Sequence, residues 1–188
     1  MVGASPSFSD VHILRVLFLL FKEKFIGRKK LLQNLEIGEG SIRTILKKLK
    51  EEGLINSSKK GHYLTRKGYN KIYKILKKFS FPKEISSEII PGRKVFLVVH
   101  NSASKVKKGI EERDISIKAG GKGAIILKFQ KNKLKLPVPK TKFKDKNLLS
   151  EIMKNFNLKE GDVVVISFGD TVESAENSAI AIALNLIK

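Results

Sequence analysis

Ser41, Arg43, Thr44, Lys47 and Lys48 fall on one side of a segment whose other side, Ile42, Ile45, Leu46 and Leu49, repeats at i, i+3, i+4 and i+7. A helix with that pattern buries its aliphatic stripe and turns two hydroxyls, a guanidinium and two ammoniums outward. The chemistry this offers is recognition. Arg43 can donate two hydrogen bonds to the edge of guanine, and Ser41 and Thr44 suit a phosphate or the methyl group of thymine. Arg28, Lys29 and Lys30 open a preceding short helix, where outward-pointing backbone N–H groups also favour a phosphate. Lys59, Lys60 and His62 fall on a turn between two short strands, from which they can touch a minor groove or a backbone.

Residues for covalent or metal chemistry are missing by comparison. The chain has no cysteine, hence no disulfide, thiol nucleophile or thiolate metal site. His12, His62 and His100 stand on three different elements without metal-ligand spacing, and no Ser/His/Asp arrangement is suggested. Gly120-Gly121-Lys122-Gly123 follows a helix and enters a strand, the reverse of a phosphate-binding loop, and reads as a helix cap and turn. Glu111, Glu112 and Asp114 stand among Lys107, Lys108, Arg113 and Lys118 and read as an ion-paired surface. The expectation is a non-enzyme with no cofactor and no metal.

The formal net charge is +20, and both halves of the 188-residue chain are basic. Such a surface attracts polyanions at a distance. Ion-pair networks alone do not account for it, because they need both signs of charge in comparable number. The most apolar N-terminal run, Val11 to Phe21, is too short to span a bilayer and contains His12 and Arg15. It reads as the core helix of a cytoplasmic protein, with one face available for dimerisation.

These side chains must be positioned by the elements around them. After residues 1–8, rich in small and polar types, Ser9 or Asp10 caps a helix from Val11 to about Lys24. A short helix from Arg28 carries Leu31, Leu32 and Leu35 inward, Gly38-Glu39-Gly40 turns the chain, and Gly53 ends the helix at 41–52. Two strands joined at 57–62 lead to Thr65 and a helix from Arg66 to about Phe79. Pro82 and Pro91-Gly92 place a linker at 82–92, between a domain at 1–81 and another at 93–188. The second half reads β-α-β-β-α-β-α: strands at 95–99, 124–129, 133–136 and 162–168, helices at 104–119 and around Leu148–Phe156, and a last helix capped by Asp170 and Glu173. The expected fold is a two-domain α+β chain, its second domain an α/β sandwich with an antiparallel four-stranded sheet, ferredoxin-like or a relative.

The stretch from Gly40 to Ile55, followed by Tyr63-Leu-Thr-Arg-Lys-Gly68, resembles the winged helix-turn-helix of bacterial and archaeal transcription regulators. The resemblance implies a recognition helix at 41–52 and a wing tip at 57–62. Gly109-Ile-Glu-Glu-Arg-Asp114, Ala119-Gly-Gly-Lys-Gly-Ala124 and Gly169-Asp-Thr171 are similar to an uncharacterised archaeal family that joins such a head to a C-terminal domain of unknown function. That domain in turn resembles the small GAD domain inserted in some aspartyl-tRNA synthetases and tRNA-dependent amidotransferases. No activity follows from this likeness.

Together these features predict a DNA-binding transcriptional regulator that acts on double-stranded DNA as a homodimer, with a C-terminal domain for dimerisation or for an unidentified effector. The candidate dimer interfaces are the apolar helices at 11–21 and 174–187. One alternative is an RNA- or tRNA-binding protein, to which Lys128, Lys131, Lys133, Lys135, Lys140, Lys142, Lys144 and Lys146 would contribute. The other is a protein-interaction adaptor built on the same head.

Overall fold

The computed structural model describes residues 8–138 and 141–188. Residues 1–7, Pro139 and Lys140 lie outside the described residues, so the loose N-terminus and the contribution of Lys140 expected above concern positions not described. The chain divides after Leu76 into two compact units.

The first unit runs α1 (Asp10–Glu23), α2 (Arg28–Leu35), α3 (Glu39–Glu51), β1 (Ile55–Ser58), β2 (Gly61–Leu64) and α4 (Arg66–Leu76). Along α1, Val11, Leu14, Val16, Leu17, Phe18 and Leu20 are buried, so this helix is enclosed on most of its circumference. Even Arg15 is buried, its guanidinium donating to the carbonyl of Asn34 at the end of α2 (3.0 Å). In α3 the four aliphatic residues of the stripe are all buried, and Gly53 closes the helix at φ +68°. The strands β1 and β2 pair antiparallel, Ile55 opposite Leu64 and Ser58 opposite Gly61.

The Leu64-Thr65-Arg66-Lys67-Gly68 exit from this hairpin has a physical explanation. The Thr65 hydroxyl donates to the carbonyl of Gly53 (2.7 Å) and accepts from the N–H of Gly68 (3.1 Å), which caps α4. Lys67 donates to the carbonyl of Glu52 (2.7 Å). A Cβ on Gly68 would lie 2.1 Å from the carbonyl oxygen of Leu54, so no larger residue fits there without moving the backbone. Helix α4 ends at Leu76, earlier than its periodicity predicts. Phe79 instead bridges Val99 and is fully buried in the second unit.

The second unit comprises β3 (Lys83–Glu84), β4 (Arg93–Val99), α5 (Ile110–Lys118), β5 (Gly123–Gln130), β6 (Lys133–Lys135), α6 (Lys146–Asn155), β7 (Val163–Gly169) and α7 (Val172–Leu186). Its sheet has the order β3-β4-β7-β5-β6 and is antiparallel throughout. One sheet face, with Phe96, Val98, Leu127, Phe129, Val164 and Ile166, packs on Leu148 and Ile152 of α6. The opposite face, with Val95, Leu97, Val99, Ile126 and Val165, is covered by α5 and α7. Two helices on one face and one on the other make the sandwich.

Several expectations are corrected here. The sheet has five strands instead of four, because the stretch expected to be a linker carries β3 and buries Ile85 and Ile90 in the core. Between β4 and β5 lies β7, so the last strand of the β-α-β-β-α-β unit occupies the place that its third strand takes in a ferredoxin-like sheet. Helix α5 starts at Ile110, six residues later than expected, after the left-handed Gly109 (φ +81°). The capping box of α7 is formed by Thr171 and Ser174, while Asp170 pairs with Lys122 at 2.5 Å. Glu112 is buried, not part of an ion-paired surface.

Candidate nucleic-acid interface

The residues singled out from the sequence gather in the first unit, and a single backbone connection explains how. Ile26, just before α2, exchanges both of its backbone hydrogen bonds with His62 of β2, at 3.0 and 2.9 Å. This ties the hairpin to the start of α2. Gly61 permits the close approach: it adopts φ +122°, and a Cβ there would meet the carbonyl oxygen of Ile26 at 2.7 Å.

Arg28, Lys29 and Lys30 therefore emerge beside the hairpin, all exposed, in the first turn of α2. The N-cap is Gly27, which has no side chain to satisfy the first-turn N–H groups, so these are left to solvent or to an anion. Lys30 pairs with Glu23 at 2.6 Å. Arg28 reaches across to Oε1 of Glu39 (3.4 Å), the first residue of α3, and Arg43, one turn further on, donates to the same oxygen (3.2 Å). These two guanidiniums hold the Glu39 carboxyl below its ordinary range, the hydrogen bond from Arg43 contributing most.

Along α3, Arg43, Thr44, Lys47 and Lys48 are exposed and Ser41 is half-buried. By the 100° step of the helix, Glu39, Arg43, Lys47 and Lys50 follow one flank of the exposed side, Thr44 its centre, and Ser41 and Lys48 the other flank. Lys47 is paired with Glu51 at 3.8 Å, and the hydroxyl of exposed Thr44 donates to the Gly40 carbonyl (3.0 Å). Lys59 and Lys60 are exposed at the hairpin turn. His62 is half-buried, with Nδ1 2.7 Å from the Ser57 hydroxyl. Burial lowers its pKa below the usual imidazole value, and the charges of Lys50 and Arg28 lower it further.

Lys50 was absent from the residues expected to act, yet it shares the electrostatic environment of His62 and Arg28. Nothing in its local sequence marks it: it lies beside the aliphatic stripe, and its relevance arises only when the hairpin folds back. Phe25 is another such case, exposed next to the α2 start with its ring 5.5 Å from Tyr63 of β2.

The other expected features are dispersed. His12 accepts from the N–H of Ser9 (3.1 Å) at the start of α1, and His100 lies 3.3 Å from Oδ2 of buried Asp162, which also accepts from the N–H of Lys159. The glycine-rich turn after α5 is a packing device: a Cβ on Gly121 would fall 2.2 Å from the Ser178 hydroxyl, and one on Gly123 would press into the Phe168 ring. Among the described residues no group of three His, Asp or Glu side chains could hold a metal, and no helix is long and apolar enough to cross a membrane. In the two helices expected to form dimer contacts, the apolar side chains are largely buried within the chain, leaving neither with a broad exposed apolar face.

The lysines of the second unit separate into groups. Lys128, Lys133 and Lys135 stand on the β5–β6 hairpin, Lys131 lies in its turn, Lys142 is in the following loop, and Lys144 and Lys146 flank the start of α6. The last two border a cavity of about 710 Å³ together with Glu84, Ser87, Arg93, Lys94 and Asp145. Within it Ser87 donates to Asp145 (2.7 Å), Lys94 donates to the carbonyl of Ser87 (2.9 Å), and Arg93 is ion-paired with Glu84. Asp145 also accepts from the Leu148 N–H, capping α6, and the hydrogen bonds from Leu148 and Ser87 lower its pKa.

Fold and surface thus define a two-domain mixed α+β protein with a cationic face on its first unit. The profile described as PH0730-like, N-terminal domain matches residues 10–70, and that described as Domain of unknown function (DUF4443) matches residues 90–186. The chain belongs to this DUF4443 family. A solved structure, described as hypothetical protein PH0730 from Pyrococcus horikoshii OT3, is similar to it: 35% identical, covering 96% of this chain and 93% of that one, with a TM-score of 0.80. No curated protein matches the chain significantly.

Proposed function

We propose that the protein is a cytoplasmic, DNA-binding transcriptional regulator whose first unit works as a winged helix-turn-helix. In this reading α3 is the recognition helix, β1–β2 is the wing, and catalysis plays no part. The observation that carries it is the exposed cationic side of α3, flanked by the first turn of α2 and by a basic hairpin that the Ile26–His62 bridge ties to that turn. Arg28, Lys29, Lys30, Lys59 and Lys60 supply phosphate contacts, while Arg43 and Thr44 meet base edges in the major groove. If about six phosphates are neutralised, the logarithm of affinity falls with the logarithm of salt concentration with a slope near −5.

The second unit, which we read as a GAD-like domain, serves dimerisation or binds an effector. Its 710 Å³ cavity, lined by charged groups of both signs, supports the effector role. In a dimer, two copies of α3 would enter successive major grooves roughly 34–36 Å apart.

A competition gel shift tests the proposal. Duplex DNA from the source genome should hold the protein against excess tRNA. Displacement by tRNA from every duplex, at equal or better affinity, would establish an RNA-binding protein instead. A protein-interaction adaptor would be indicated if Arg43→Ala together with Lys47→Ala left DNA binding and its salt slope unchanged.

A further inference from the structure

The β5–β6 hairpin of the second unit places lysines where sheet stability disfavours them. Lys128 and Lys135 are direct cross-strand partners, and Gln130 faces Lys133. Alternation along each strand puts all four side chains on the sheet face that also carries Ile126, opposite to Leu127, Phe129 and Leu134. Two like charges directly opposite one another destabilise a sheet.

Lysines on an edge strand guard against edge-to-edge pairing, and β6 is such an edge. That role accounts for Lys133 and Lys135. It does not account for Lys128, which stands on the inner strand β5 and is half-buried. Elsewhere many cations are paired: Arg28, Lys30, Arg43, Lys47, Lys71, Arg93 and Lys122 each meet a carboxylate. Among the described residues, Lys128, Lys133 and Lys135 have no such partner within ion-pair distance. Glu112 of α5 is buried, which raises its pKa above the usual carboxylate value, and the charge of Lys128 acts on it in the opposite direction. Lys107 and Lys108 are exposed just before α5, where they line one cleft with Glu111 and Glu112.

We infer that this lysine face, Lys128, Lys133 and Lys135, is a second contact site for the phosphate backbone of duplex DNA, separate from the first unit. The inference rests on the reading of the chain as a DNA-binding protein. Duplex is favoured over single strands because the one aromatic ring of this hairpin, Phe129, lies on the opposite sheet face, so unpaired bases have no ring of the hairpin to stack on. The site is indifferent to sequence, since ammonium–phosphate contacts carry no base information.

The test uses the full chain and its binding to random-sequence duplex across a salt series. Changing Lys128, Lys133 and Lys135 together to Gln should make the salt slope shallower by about 2.7, at 0.9 per phosphate contact, and a triple Arg variant should restore it. Arg28→Ala with Lys59→Ala and Lys60→Ala, in the first unit, should lower the slope independently. If the Gln variant keeps the parental slope while the first-unit variant does not, the second site is overturned and the proposed function stands. Aggregation of the Gln variant with an unchanged slope would reduce the three lysines to edge protection, and a loss confined to single-stranded RNA would overturn the choice of duplex. If neither parent nor variants bind duplex, both proposals fall.

Discussion

Arg28 and Arg43, fifteen residues apart and on different helices, converge on one oxygen of Glu39, at 3.4 and 3.2 Å. The side chain best suited to read guanine is thus held by a carboxylate on its own helix. In the proposed reading a phosphate or base edge would have to take Arg43 from Glu39, and Glu39 itself would repel the backbone. Replacing Glu39 by Gln should raise affinity for non-specific duplex about threefold, most clearly at low salt. The thermal midpoint should hardly move, because an exposed pair contributes little to folding. Fluorescence anisotropy with a random duplex, beside a melting curve, checks both.

If the first unit binds DNA as proposed, His62 gives that binding a pH dependence whose sign follows from its surroundings. Burial, then Lys50 and Arg28, lower its pKa below the ordinary value of 6.5, so the folded unbound protein protonates His62 less readily than the unfolded chain does. A neighbouring phosphate favours the imidazolium, and DNA binding then takes up a proton. Affinity should rise as pH falls through and below 6.5, and His62→Gln should flatten that rise. Folding stability runs the other way. It is fully present above the unfolded value and declines as pH falls toward the lowered folded one, because the unfolded chain binds the proton more readily. Titrations of both quantities from pH 8 to pH 5 would expose either sign as wrong.

Gly68→Ala should destabilise the first unit by about 2 kcal/mol or more, because the added Cβ would collide with the Leu54 carbonyl and disturb the Thr65 cap. The chain's three tyrosines, Tyr63, Tyr69 and Tyr73, all lie in this unit, and there is no tryptophan. Tyrosine fluorescence therefore reports its unfolding selectively. An unchanged denaturation midpoint by that signal would refute the close contact.

In the second unit Gly121→Ala should destabilise by about 1–3 kcal/mol, since its Cβ would meet the hydroxyl of Ser178 in α7. Ser178→Ala removes that hydroxyl together with its hydrogen bond to the Ser116 carbonyl (3.0 Å). The double variant should be more stable than the sum of the two single losses implies. Additive losses in a denaturation cycle followed by far-ultraviolet circular dichroism would show that the two positions do not touch.

What could be read from the chain alone follows the range of the forces involved. The stripe Ile42, Ile45, Leu46, Leu49 is a local periodicity, so α3 and its outward residues were legible. So was the order of strands and helices in the second half, where each element declares itself by alternation or by an apolar run. Strand β3 escaped because it is two residues long and exists only through its register with Val95 and Phe96. The position of β7 between β4 and β5 was equally hidden, being a matter of long-range pairing. Lys50 and the shared use of Glu39 could not be read either, since both depend on how the hairpin and α2 come to lie beside α3. Glu112 misled because its lysine-rich neighbours in sequence look like a solvated surface, while its side chain is buried.

The most direct measurement is a selection of bound fragments from the source genome with the purified full-length protein, repeated with Arg43→Ala. A sequence-specific regulator should enrich a discrete site, and the Arg43 variant should bind it more weakly by about 1–3 kcal/mol with relaxed preference at one position. Recovery of random fragments with no enriched site, unchanged by the substitution, would contradict DNA reading by α3.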